Sequence, residues 1–123
     1  MDAKEFLISA QEMMQGEREI DYRNAGSRAY YGAFHACRML LEKLPHSQAS
    51  IGTSHQRVIN GLLSDPNKQI NSLGNKLARA KDFRQKANYQ LNLKFSRYEA
   101  MRLFSLAQKI YDEVDDLLLS LKK

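Results

Sequence analysis

The chain has 123 residues, 43% of them hydrophobic and 27% charged, which fits one soluble globular domain (1–123) with its own core. A single cysteine, Cys37, excludes an internal disulfide and any multi-cysteine zinc or iron–sulfur site. The longest apolar run near the end, Leu117-Leu118-Leu119, is far short of a membrane span, and the first residues lack the basic and apolar regions of a secretory signal, so a cytoplasmic protein is expected.

The first helix is expected over residues 3–15, with Phe6, Ala10, Met13 and Met14 on one face and Gly16 as its stop. The second is expected over 22–44, rich in Ala, Leu, Met and Arg and ended by Pro45. Residues 46–52 read as a loop. Thr53 or Ser54 then caps a short helix to about Leu63, and Asp65-Pro66-Asn67 is a turn signal. A fourth helix is expected over 68–86 on Ile70, Leu73, Leu77, Ala80 and Phe83, followed by an extended or irregular stretch over 88–95. The fifth begins at the capping box Ser96-Arg97-Tyr98-Glu99 and carries a stripe of Ala100, Phe104, Ala107, Tyr111, Val114, Leu118 and Leu121. No segment alternates with period two. The expected fold is all-α: an antiparallel up-and-down four-helix bundle with an extra short helix.

Charge is unevenly spread. Residues 1–22 sum to −4, 23–67 to +3, 68–102 to +7 and 103–123 to −1. The +7 block can attract phosphates, or it is a solvated helix face partnered by the acidic first helix.

Walker, GxGxxG, GxSxG and HExxH motifs are absent, and His35, His46 and His55 lie in different segments without ligand spacing. No metal or cofactor is expected. Without Glu-x-x-His pairs, a carboxylate metal site of the helical-bundle kind has no motif. No helix-turn-helix signature is visible, which argues against a DNA-binding bundle. Cys37 reads as a buried structural cysteine.

One constellation carries chemistry. Arg28 and His35 are seven residues apart, so they share a helix face with a rise of about 10.5 Å between them. Tyr31 and Gly32 lie on the same stripe, while Tyr30, Ala33, Phe34, Cys37 and Leu41 form a core stripe. A mid-helix glycine costs about 1 kcal/mol against alanine, so close packing is expected at Gly32. Arginine can hold phosphate oxygens in a fork, histidine can move a proton near neutral pH, and tyrosine can hydrogen-bond or stack on a base. The alternative is structural, with Arg28 and His35 satisfied by carboxylates such as Glu12 or Glu19. Arg84 and Lys86 are candidates for guiding an RNA backbone or are ordinary surface charge, and His55 reads as a helix-start or packing histidine.

The stretch from Asp21 to Leu41, with Ser27-Arg28-Ala29-Tyr30-Tyr31-Gly32-Ala33-Phe34-His35-Ala36-Cys37-Arg38, resembles the signature helix of HEPN domains, in their small single-domain prokaryotic branch. Thr53-Ser54-His55 is similar to that branch's Thr-His-Ser-like helix start, and Asp82 to Tyr89 to its Arg-x-x-Ala-Asp-Tyr segment. The resemblance implies a homodimer through the motif helix and a metal-independent endoribonuclease. In it the 2′-hydroxyl attacks the phosphate, His35 is the acid/base and Arg28 steadies the charge; Tyr31, from its place on the same helix face, is the expected supporting residue. It also implies RNA as substrate and, in toxin–antitoxin systems, a small nucleotidyltransferase antitoxin as partner. Two departures stand out: Ala29 follows the motif arginine where Asn, Asp or His is frequent, and Cys37 stands where nucleotidylated toxins carry tyrosine. They point to the alternative of a non-catalytic module that binds nucleotide or docks a nucleotidyltransferase.

Overall fold

The computed structural model describes residues 2–44 and 54–121, and all regular structure among them is helical. The order is α1 (Ala3–Met13), α2 (Glu19–Glu42), α3 (His55–Leu63), α4 (Lys68–Tyr89) and α5 (Arg97–Leu121). Pro45, His46 and the rest of the expected 46–52 loop, with Thr53, lie outside the described residues.

Each helix starts where a side chain takes up orphan amide groups. Asp2 accepts from the Lys4 amide (3.1 Å), and Glu5 accepts from the Asp2 amide (2.8 Å), so α1 opens on a capping box. Ser54 caps α3, and Asn67 caps α4 by accepting from the Gln69 and Ile70 amides. The box expected at α5 is present: Ser96 Oγ accepts from the Glu99 amide and Glu99 Oε1 from the Ser96 amide, both at 3.3 Å.

Two boundaries differ from expectation through interactions that local pattern does not carry. α2 begins at Glu19 rather than Tyr22 because Asp21 accepts from the Arg18 amide and guanidinium, a cap built without Ser, Thr or Asn at the N-cap. α4 continues to Tyr89 rather than Lys86 because Arg23 of α2 donates to the carbonyls of Lys86 (3.2 Å), which also accepts from the Gln90 amide, and Ala87 (2.9 Å), which the end of the helix leaves open.

α2 packs against all four other helices, whereas α1 touches only α2 and α5. The expected α2 stripe of Tyr30, Ala33, Phe34, Cys37 and Leu41 is buried. So are Ile70, Leu73, Leu77 and Ala80 of α4, with Phe83 half-buried. On α5 the buried line is Ala100, Leu103, Ala107, Ile110 and Val114. Phe104, Tyr111 and Leu118 stand half-buried at its edge, and Leu121 is exposed, unlike its expected place on the core stripe. On α1 the buried line is Ala3, Leu7, Ala10 and Met14, which leaves Phe6 at the rim. Gly32 explains that rotation. A Cβ there would lie 3.0 Å from Leu7 Cγ and 3.2 Å from the Ala3 carbonyl oxygen, so α1 crosses α2 on the space the glycine leaves.

The basic block does not pair with the acidic first helix. α1 makes no contact with α4, and the block's partners are on α5: Lys76 with Glu113 (2.5 Å) and Lys86 with Glu99. Glu19 and Asp21 pair with Arg23 and Arg18 instead. Among the described residues no helix is long and apolar enough to cross a membrane.

Candidate functional site

The motif face of α2 lies between α1 on one side and α3 and α4 on the other. Arg28 is exposed, and among the described residues it forms no ion pair. The carboxylate neutralisation expected from Glu12 or Glu19 does not occur, since Glu19 is held by Arg23 at 3.0 Å. His35, two turns further along, is half-buried. Its ring stacks on Phe6 of α1 (centroids 5.1 Å apart, 19° between planes) and meets Phe34 edge-on at 5.2 Å. Burial, and then the charge of Arg38, lower its pKa, so the imidazole is neutral at pH 7 and can accept a proton. A cleft of about 700 Å³ opens beside it, lined by Phe6, His35, Arg38 and Met39 together with Tyr111 and Asp115 of α5.

Tyr31 joins the parts. Its ring is 6.3 Å from His35 and 6.1 Å from Phe6, and its Oη accepts a hydrogen bond from Arg84 Nη2 at 2.8 Å. The Arg84 guanidinium lies 4.9 Å over the Tyr31 ring and 5.4 Å over that of Tyr30, a cation–π cradle that holds it against α2. Its Nε is buried and has no hydrogen-bond partner among the described residues. One turn away, Asn88 Nδ2 donates to Ser27 Oγ at 3.5 Å. The pairs 27–88 and 31–84 show α2 and α4 running in opposite directions at the site. Arg84 therefore belongs to the motif face. Lys86 does not, because two residues turn it roughly 200° around the helix, where it pairs with Glu99.

His55 has a larger place here than its sequence context suggested. Its Nδ1 lies 2.6 Å from Tyr30 Oη, and its ring stacks on Phe34 at 4.2 Å. Burial first, then the charges of Arg84, Lys81 and His35, lower its pKa. Only the helix start at Ser54 signalled this residue; the Tyr30 contact spans 25 positions. Burial pushes the Tyr30 hydroxyl well above its ordinary range. Cys37 is wholly buried, and burial, with the charge of Glu113, raises its thiol far above the reactive range, so it is structural, as expected. Among the described residues no group of three or more His, Cys, Asp and Glu side chains could hold a metal ion.

A sequence profile of the HEPN domain matches residues 1–117 of the chain. The chain belongs to the HEPN family. No curated protein and no solved structure matches it. HEPN domains in general include ribonucleases and nucleotide-binding modules, and the match spans the motif helix, the Arg84 segment and most of α5.

Sequence reasoning missed one residue entirely. Arg23 is the single buried charged side chain among the described residues. It pairs with Glu19 and donates to the carbonyls of Lys86, Ala87, Gln90 and Leu93, pinning the α4–α5 connection of the HEPN domain against the start of its motif helix. Nothing local marks it, since it looks like any other arginine on a helix.

Proposed function

We propose that this HEPN protein is a metal-independent endoribonuclease acting as a homodimer through α2. The observation that carries the reading is Tyr31, which ties the His35 ring and the Arg84 guanidinium into one surface one turn from the unpaired Arg28. In this reading the helices form an antiparallel up-and-down four-helix bundle with α3 as the extra short helix, an arrangement supported by the opposed α2 and α4.

A neutral His35 takes the proton of an RNA 2′-hydroxyl. The 2′-oxygen bonds to phosphorus, and the bond to the 5′-oxygen breaks. That oxygen receives the proton that His35 has taken, so the histidine ends the step neutral again. The products are a 2′,3′-cyclic phosphate and a 5′-hydroxyl. Because the nucleophile belongs to the substrate, no activated water is required. Arg28 and Arg84 hold the non-bridging oxygens and offset the charge that builds on them. Arg28 and His35 of one helix are about 10.5 Å apart along its axis, and a two-fold axis across the motif helices would bring one copy's Arg28 toward the other's His35.

The test is cleavage of an oligoribonucleotide in EDTA, with analysis of the product ends. His35→Ala should lose about 10²- to 10⁴-fold in rate, and Arg28→Ala about 10²- to 10³-fold, with the helical circular-dichroism signal intact. Equal cleavage by His35→Ala, or cleavage of a 2′-deoxy substrate, refutes the mechanism.

A second reading rests on Ala29, which is wholly buried and offers no polar helper beside Arg28. In that reading the protein is a non-catalytic module that binds nucleotide or docks a nucleotidyltransferase. It predicts no cleavage together with a nucleotide-dependent thermal shift.

A further inference from the structure

The basic block is only partly used by the motif face. Lys76 and Lys86 are paired on α5 and Arg84 is cradled by tyrosines. Lys94, Arg97 and Arg102 are exposed, and none forms an ion pair among the described residues. They are interleaved with the most exposed large apolar side chains among the described residues. Tyr89 is 69% exposed, Leu91 71% and Tyr98 68%, with Leu93 and Met101 nearly half exposed. Between Asp82 and Asp112 the chain has one acid, Glu99, and Lys86 neutralises it.

This surface is not loose. Arg23 binds the backbone at the carbonyls of residues 86 and 87 at the end of α4 and of 90 and 93 in the connection, so a buried guanidinium fixes a loop whose Leu91 and Leu93 side chains are exposed while Phe95 is buried. The Arg102 guanidinium lies 5.8 Å from the Tyr98 ring and 5.5 Å from that of Phe83, which leaves a Tyr98 face for a ligand. The surface also begins next to the motif face in the chain. Asn88, bonded to Ser27, sits next to Tyr89 in the chain as Ser27 sits next to Arg28.

We infer that the α4–α5 connection and the start of α5 form a platform for single-stranded nucleic acid, separate from the cleavage residues, on which Tyr89 and Tyr98 stack bases while Lys94, Arg97 and Arg102 take phosphates. Each nucleotide of a single strand offers one flat apolar face and one anion, and this surface alternates aromatic rings with cations in the same way. A protein partner would need an acidic rim. The density of cations and the lack of an unpaired acid between Asp82 and Asp112 favour the polyanion. The strand's route from the platform toward Arg28 rests on the ribonuclease reading; its binding does not.

The probe is a fluorescein-labelled 2′-O-methyl oligouridylate, which lacks the attacking hydroxyl, followed by anisotropy with the full chain. The double variant Tyr89→Ala/Tyr98→Ala should bind roughly thirtyfold more weakly or worse at unchanged helicity, and Lys94→Ala should lower the salt slope by about 0.7. Tyrosine variants that bind as tightly as the unaltered protein overturn the platform, even if RNA is cleaved. Tight, tyrosine-dependent binding without cleavage supports the platform and sinks only the nuclease reading. A protein that ignores the oligonucleotide and self-associates through Leu91 and Leu93 marks a protein surface and overturns the proposal.

Discussion

Replacing Arg23 by methionine keeps most of the side chain's volume and apolar stem and removes the guanidinium. That guanidinium is 5% exposed and serves Glu19 on its own helix, two carbonyls in the last turn of α4 and two of the α4–α5 connection. A hydrogen bond from a charged donor is worth about 1.5–3 kcal/mol, and an acceptor left dry costs about 1–3 kcal/mol. The contact to Ala87 is fully buried, whereas the other carbonyls are part-buried and partly recover water. The expected loss is therefore about 3–5 kcal/mol, a large share of a typical domain's 5–15 kcal/mol. It should lower the melting temperature by about 10–20 °C. Urea unfolding followed by circular dichroism measures it, with the slope unchanged. Glu19→Ala, which removes only the half-exposed ion-pair partner, should cost under about 1 kcal/mol. If Arg23→Met stays within about 1 kcal/mol of the unaltered protein, the connection is held by something other than this arginine and the argument fails.

The lowered pKa values of His35 and His55 set an acid limit. The unfolded chain binds these protons near pH 6.5 while the folded one resists them, so stability is unaffected above that pH and falls as pH drops below it and through the folded values. The double change His35→Gln/His55→Gln should flatten that fall in pH-dependent urea midpoints, and an unchanged pH profile would contradict the assigned burial. Gly32→Val should destabilise by about 1–3 kcal/mol, because the Ala3 carbonyl and Leu7 cannot both give way. A neutral result in thermal unfolding would mean that α1 shifts freely. Cys37 should resist a thiol reagent in the folded protein and react at once in denaturant, and fast native labelling would contradict its burial.

The helices were legible because their information is local. The Ser96–Glu99 box, the Asp65-Pro66-Asn67 turn and the spacing of Ile70, Leu73, Leu77 and Ala80 each act within a few residues. Helix ends that depend on distant groups were not legible: α4 runs on to Tyr89 because of an arginine 64 positions before Ala87. Ion-pair partners were misread for a similar reason. Summed charge shows that an acidic and a basic segment exist, and only packing shows that α1 never reaches α4. At the site, Arg28, Tyr31 and His35 follow from helical spacing. The place of Arg84 beside Tyr31, the separation of Lys86 and the contact of His55 with Tyr30 all depend on how α3 and α4 lie on α2.

The ladder of Ser27 with Asn88 and Tyr31 with Arg84 has a bearing on how this molecule can vary. Many substitutions around it would leave the two rungs in step. A single inserted or deleted residue between positions 84 and 88 would swing one rung by about 100° and slide it about 1.5 Å, so the guanidinium and the amide could no longer both face α2. Length in this segment is held more tightly than identity, and natural variants should tolerate exchanges there far better than gaps.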